Sequence, residues 1–421
     1  MKKKIIQKIL RSMARAVLKK RRPFVIAITG SIGKTTTKEM VGKMLSDFKE
    51  VRFSKGNYNN EIGVPLTIIG TYIKPGRSKL IQFFKVFFVW LSVIFSGKNY
   101  PEILILEFGA DHPGDIKYLC EFIPVSVGVL TDIGISHLEN FGSKDSIAKE
   151  KGVLLRSLSS DSLAVFNCDN PKVKAIGKKI NANTLSYGFS DNCKLRASDF
   201  YYDYKNGNSE GIKVLNGTGF KLTYQGKLMP VKLDYCIGTG SVYAALAALG
   251  VGLYFDLNMV EMMQSLKNVR PCPGRMNLIK GIKETIIIDD SYNSAPDSLS
   301  SALEALRELN AERKILVLGD MLELGEEEEE AHKQALSEVF DSKPDAVLLV
   351  GERFQEATES LSASKKEKVI VFENAKKAGR FLQDYIKVGD LILIKGSRGI
   401  SLEKAVKEIM RHPEEAKRLL V

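Results

Sequence analysis

The sequence is poor in the residues that usually announce metal or redox chemistry. Its 421 residues include five cysteines and four histidines. Cys120, Cys168, Cys193, Cys236 and Cys272 occur singly, with no C-x-x-C pair, which argues against a zinc ribbon or dithiol motif. Nothing in their spacing suggests a disulfide framework, and a reducing compartment fits that usage. A secretory signal is also missing, because Lys8, Arg11 and Arg15 interrupt the apolar residues of the opening stretch MKKKIIQKILRSMARAVLKKRR. No Asn-Lys pair occurs anywhere, so the guanine-reading N-K-x-D of a GTPase is absent. Internal repeats and low-complexity linkers are lacking too.

What is present is an ordinary globular composition with a net charge of +12, much of it in the first 22 residues. There Ile5, Ile6, Ile9, Leu10, Met13, Val17 and Leu18 recur at helical spacing opposite a basic face. That pattern suits a helix packed on its own protein or one lying on a membrane surface. Nucleic acid is not an expected partner.

From Phe24 onward, short apolar runs alternate with helical stretches. FVIAIT (24–29), EILILEF (102–108), VSVGVLT (125–131) and SLAVFN (162–167) read as strands, with GKTTTKEMVGKML (33–45) and 143–158 as helices, the latter capped by Ser143. This rhythm predicts an α/β domain with a mostly parallel sheet covered on both faces. Residues 193–235 read as antiparallel hairpins attached to it. A second series of runs, 285–290, 314–320, 345–351, 368–373 and 390–396, predicts a doubly wound, Rossmann-like C-terminal domain. The expected organisation is a basic helix (1–23), a central domain (24–270) with an apolar insertion near 71–100, and a C-terminal domain (271–421). The insertion, KLIQFFKVFFVWLSVIFSGK (79–98), is near the lower length limit for a bilayer span. A single crossing would separate strands of one sheet, so it must pack on protein or lie in the interface with Lys85 snorkelling.

Thr29, Gly30, Ser31, Ile32, Gly33, Lys34, Thr35 and Thr36 follow a strand and open a helix. Glycines let N–H groups curl inward there, and the helix start adds partial positive charge, which is the physics of a phosphate loop. Lys34 is placed to reach the β- and γ-phosphates and Thr35 to hold Mg²⁺. The D-x-x-G at Asp111–Gly114 is too short to restore a GTPase reading, so ATP is favoured.

The form T-G-S-x-G-K-T-T resembles the phosphate loop of the Mur ligases and folylpolyglutamate synthases. Further blocks carry the resemblance to Mur ligases, in order and over about residues 24–410, nearest the subgroup that adds D-alanyl-D-alanine. They are Gly56–Thr67, Glu107–Gly114, Ile133–Gly142, Ala148–Gly152, Pro273–Met276, Asp289–Asp297, Gly319–Gly325 and Lys395–Gly399. The resemblance implies an ATP-dependent peptide ligase of peptidoglycan precursor synthesis, acting through an acyl phosphate on a UDP-N-acetylmuramoyl-tripeptide. By the same resemblance Thr35 and Glu107 hold one Mg²⁺, His137 ligates a second, and Lys151 is the lysine that the family carbamylates beside it. Arg275, Asp290 and Asn293 are implied at the nucleotide, and Asn59, Asn60, Lys395, Ser397 and Arg398 at the substrates, with the C-terminal domain closing over the nucleotide. The implied setting is the cytoplasm, and the segments 1–22 and 79–97 offer peripheral membrane contact by their own composition. His332 reads equally as structural or functional.

The match also departs from the family pattern. Only 23 residues precede the first strand, where Mur ligases carry a UDP-sugar domain. Gly238-Thr239-Gly240-Ser241 stands in place of G-R-H-N, and Thr131-Asp132 in place of an Asn pair. Two other readings therefore stay open: a related ligase with a different or lipid-linked acceptor, and a membrane-associated nucleotide-binding module without activity.

Overall fold

The structure is a computed structural model and describes residues 2–54, 56, 58–73, 78–96, 100–134, 138–207, 213–322 and 324–421. Two compact units divide the chain. The first comprises Met1–Asp199, Phe220–Val231 and Val242–Lys267; the second comprises Phe200–Gly219, Lys232–Ser241 and Asn268–Val421.

The first sheet runs β2 (Val51–Phe53), β3 (Ile103–Glu107), β1 (Phe24–Thr29), β4 (Val127–Leu130), β5 (Leu163–Asn167), β6 (Asn183–Gly188), β7 (Leu195–Asn206), β8 (Lys213–Tyr224) and β9 (Lys227–Asp234). Pairing is parallel from β2 through to the start of β7. β1, β3 and β4 are wholly or almost wholly buried, as continuous Val/Ile/Leu runs require when both faces are covered. β8 and β9 join through Gln225 and Gly226, with φ of 48° and 75°; two successive positive φ values make the tight turn that matches strand twist in a hairpin. The chain moves from β1 outward to β2, returns to β3 beside β1, and then crosses to β4 on the other side of β1, which makes the C-terminal end of β1 the switch point of the sheet. Ligands bind doubly wound sheets at such a switch point.

Helices cover this sheet. α1 (Lys2–Arg21) packs Ala14, Val17 and Leu18 into the core formed with Val25, Ala27, Leu104 and Leu106. α2 (Lys34–Ser46) follows β1, and α3 (Gly63–Ile69) is wholly buried. α4 (Lys79–Phe95) is the apolar insertion, and α5 (Asp115–Cys120) starts where Glu150 accepts hydrogen bonds from Gly114 N and Ile116 N, at 2.9 and 2.8 Å. The expected Ser143 cap is present: its hydroxyl accepts from Ser146 N at 3.1 Å.

The second sheet has the order β10 (Asn277–Lys280), β11 (Ile286–Asp290), β15 (Leu391–Lys395), β12 (Lys314–Gly319), β13 (Ala346–Val350) and β14 (Val369–Phe372). All of it is parallel except β10–β11. Alternate residues enter opposite cores: Ile288, Leu316, Leu318 and Leu349 one, Ile287, Val317, Leu348 and Ile392 the other. β10 was not anticipated, since four residues between two turns carry too little pattern to stand out.

One expectation is corrected. Cys168, just after β5, and Cys193, just before β7, form a disulfide with Cα atoms 6.0 Å apart. They are 25 residues apart, and only the folding of β5–β7 into one sheet brings them together. Spacing along the chain could not reveal it, and the pair stands alone beside the thiols of Cys120, Cys236 and Cys272.

Candidate nucleotide site

The candidate phosphate loop leaves the C-terminal end of β1. Thr29 Oγ1 donates to Phe108 O at 2.8 Å, tying β1 to the end of β3. Ser31 N donates to Asp132 O at 2.7 Å, and Thr131 Oγ1 donates to Ile32 O at 2.6 Å, tying the loop to the end of β4. Gly30 has φ +152°, and a Cβ there would stand 2.0 Å from Thr131 Oγ1, so no other residue fits. Gly33 takes the left-handed conformation, φ 81°, directly before α2.

No side chain caps α2, and its first turn holds no acidic residue. Its first N–H groups thus face the loop with the positive end of the helix dipole behind them, an arrangement that favours an anion. Lys34 Nζ lies across the loop, 2.7 Å from Gly30 O and 3.1 Å from Ser31 O.

Thr35 and Glu107 come together at the switch point. Thr35 Oγ1 is 3.2 and 3.0 Å from the two carboxylate oxygens of the buried Glu107. Asn59 Nδ2 donates to Glu107 at 3.2 Å. The adjacent Asn60 turns the other way: its Oδ1 accepts from Ile62 N and Gly63 N and caps α3.

Sequence reasoning missed Lys38. It is fully buried, its Nζ lies 3.5 Å from Glu107 Oε2, and it donates to Gly56 O at 3.1 Å. The signal was its spacing of four from Lys34, one helical turn along the same face.

Lys151 is buried at 2% exposure. Burial, and then the like charge of Lys34, push its pKa down to about 7, while Glu150 and Asp111 act in the opposite direction. His137 lies outside the described residues.

In the second unit the expected residues gather at the C-terminal ends of β11, β12 and β15. Asp290 and Lys395 are register partners and form a buried ion pair of 2.6 Å. Lys395 also donates to Asn293 O at 2.9 Å, and Asp290 accepts from Met276 N at 3.1 Å. Lys395 therefore ties the Ser291–Ser294 turn to β15, and Asp290 holds Lys395 there. Ser397 accepts from Leu322 N and donates to Ser294 O, whereas the half-exposed Arg398 pairs with Glu403 at 3.2 Å. The Arg275 guanidinium stacks 4.3 Å over the Tyr292 ring. Neighbouring Asp289 is buried, and burial raises its pKa to about 6 against hydrogen bonds from Ser291 and Gly274. His332 is engaged at both nitrogens: Nε2 accepts from Met321 N at 3.0 Å, so Nδ1 donates to Glu328 O at 2.6 Å. This is a structural role.

Where G-R-H-N was expected, Ser241 turns back into its own helix and donates to Ile237 O at 2.9 Å.

Comparison with known proteins bears on the family and the fold. The Mur ligase middle domain matches residues 28–72 and 92–252, and the glutamate ligase domain of Mur ligases matches 274–398. The UDP-N-acetylmuramoyl-tripeptide--D-alanyl-D-alanine ligase of Bacillus subtilis is 30% identical over 406 residues, covering 96% of this chain and 79% of that protein. Its Escherichia coli namesake is 27% identical over 92% of this chain and 77% of its own. The crystal structure of the MurF ligase from Thermotoga maritima in complex with ADP superposes with a TM-score of 0.74 at 27% identity, covering 98% of this chain and 84% of that one. The chain belongs to the Mur ligase family of ATP-dependent peptide ligases.

Proposed function

We propose that this chain adds D-alanyl-D-alanine to a UDP-N-acetylmuramoyl-tripeptide during peptidoglycan precursor synthesis, using ATP to activate the peptide's carboxylate. Relatives named for this reaction align along nearly the whole chain, which favours it over the other readings. The observation that carries the chemistry is the meeting of Thr35 and Glu107 at the mouth of a helix start with no side-chain cap.

A carboxylate resists attack by an amine because it is anionic and lacks a good leaving group. Transfer of the γ-phosphoryl group onto one carboxylate oxygen gives an acyl phosphate and ADP. The amine of the dipeptide then attacks the acyl carbon, and phosphate departs with that oxygen. Lys34 and the first N–H groups of α2 hold the phosphates, with Thr29, Gly30, Ser31, Ile32, Gly33 and Thr36 shaping the loop. The Thr35 hydroxyl and Glu107 carboxylate are hard oxygen donors, a set that fits Mg²⁺. When bound, the ion would offset charge on the β- and γ-phosphates. Lys38 fixes the Glu107 carboxylate, and Asn59 orients it.

A carbamate forms only on a neutral amine, and the depressed pKa of Lys151 makes that form available near neutral pH. Lys151 as a carbamate, with His137, would hold a second Mg²⁺. In the second unit we assign Arg275, Asp290 and Asn293 to the nucleotide. Of the residues implied at the substrates, we assign the half-exposed Arg398 to direct contact, with Asn59, Lys395 and Ser397 positioning their neighbours and Asn60 ordering the start of α3. The setting we assign is the cytoplasm, with peripheral membrane contact through 1–22 and 79–97.

The test is phosphate release from ATP by the purified chain with Mg²⁺, D-alanyl-D-alanine and a panel of acceptors. Release that needs both the dipeptide and the UDP-muramoyl tripeptide is expected. Release with another acceptor alone would replace the substrate assignment, and none with any acceptor would leave only nucleotide binding.

A further inference from the structure

Charge is unevenly distributed along this chain. Residues 1–22 and 71–100 hold 15 of its 62 lysines and arginines and none of its 50 aspartates and glutamates, so the remainder carries a net −3. Those segments supply α1 and α4. The Mur ligase middle-domain match passes over 73–91, so most of α4 lies outside the family pattern.

One side of α4 is packed. Val86 joins Leu10, Met13, Leu66 and Ile69 in an apolar cluster, and Trp90 Nε1 donates to Met13 O at 3.1 Å. Arg21 of α1 donates to the carbonyls of Val93 and Ser96, satisfying the C-terminal end of α4. The opposite side is bare. Ile81, Phe84, Phe88 and Phe95 recur at helical spacing with exposures of 64, 51, 63 and 79%, flanked by exposed Phe83 and Phe87. The five phenylalanines leave about 500 Å² of ring surface in water, above the few hundred that a soluble monomer normally exposes in one patch. No charge interrupts the stripe, and Lys85 lies at its edge. At the start of α1, Ile5, Ile6 and Ile9 are exposed beside Lys4 and Lys8.

We propose that α1 and α4 form a docking face for an anionic lipid bilayer, with α4 lying in the interface. Aromatic rings at the acyl boundary and lysines at headgroup level are what such a surface requires. A neutral protein partner would explain the rings but not two segments that carry 15 cations and no acid of their own, of which Arg11 pairs across to Glu121 at 3.1 Å. Crossing is not the alternative: no helix among the described residues is long and apolar enough to span a membrane. The docking layer also touches the loop that supplies Asn59. Gln7 of α1 donates to Glu61 at 2.6 Å, and Tyr58 packs against the same apolar cluster as Val86. The ligase would thus work at a lipid surface with its Glu107 loop beside the docked face.

The inference stands apart from the ligase reading, and it is tested without nucleotide or acceptor. The full chain is mixed with phosphatidylcholine vesicles with or without phosphatidylglycerol, and partition is read by flotation. Partition at least about tenfold stronger into the anionic vesicles is expected. Phe84→Ser with Phe88→Ser should weaken partition about a hundredfold with an unchanged circular dichroism spectrum, and Lys4→Glu with Lys8→Glu should remove the anionic preference. Absence of wild-type partition into either vesicle, or equal partition by the serine variant, would overturn the proposal. So would a lipid-free dimer that the serine variant dissolves, since the face would then serve a second copy of this chain.

Discussion

Lys34→Ala is expected to lower turnover about a thousandfold while leaving the fold intact. The Lys34 ammonium sits over the loop carbonyls of Gly30 and Ser31, at the start of α2, where the γ-phosphoryl group would be held. Charge moves through that group during transfer, so the ammonium should stabilise the transition state more than bound ATP. The loss should therefore fall on kcat more than on KM for ATP. A purely structural lysine would behave differently, shifting the urea midpoint and sparing turnover in whatever remained folded. Activity within tenfold of wild type in a stable variant would remove Lys34 from the site.

Lys151→Met should show two effects of opposite sign: activity lost about a hundredfold, and thermal stability raised by about 3 °C at pH 7. Methionine nearly conserves the volume and leaves no charge in a buried place. In buffer freed of bicarbonate, where Lys151 is an amine, the sign of the stability change follows from linkage. Lys151 titrates at about 7 in the folded chain, below the 10.5 of a free lysine. Between those values the unfolded chain binds a proton that the folded chain does not, so this group's contribution to stability rises with pH across that window. The full penalty is present near and below pH 7. The advantage of the methionine variant should therefore be largest there and shrink towards pH 10. A ¹³C carbamate signal after labelling with bicarbonate is expected in the wild type and absent from the variant. Full activity in the methionine variant would contradict the role.

The sequence made the parallel sheets legible because most of their buried strands are unbroken apolar runs, many of them ended by a glycine, an acid or a threonine. β1, β3, β12 and β15 fell within a residue of expectation for that reason. Thr35 and Glu107 were legible through the family resemblance, and their 3.0 Å contact supplies the geometry. Other features depend on tertiary neighbours. The Cys168–Cys193 bond needs the strand order of β5–β7, and the burial of Lys38 needs Glu107 opposite it. Asp290 and Lys395, read separately as ligand contacts, turn out to be register partners on adjacent strands. The insertion carried two readings, packed or interfacial. α4 packs one side and leaves the other exposed, because its apolar residues circle the whole helix while α1 and α3 cover only part of it.

The central claim is that a phosphoryl group passes from ATP to the acceptor's carboxylate before the amide forms. The direct measurement labels both carboxylate oxygens of the acceptor with ¹⁸O and determines the mass of the phosphate released with ADP. One ¹⁸O atom in each phosphate is the predicted result, since the acyl phosphate must surrender the oxygen it took. Unlabelled phosphate, produced at the rate of amide formation, would contradict the account.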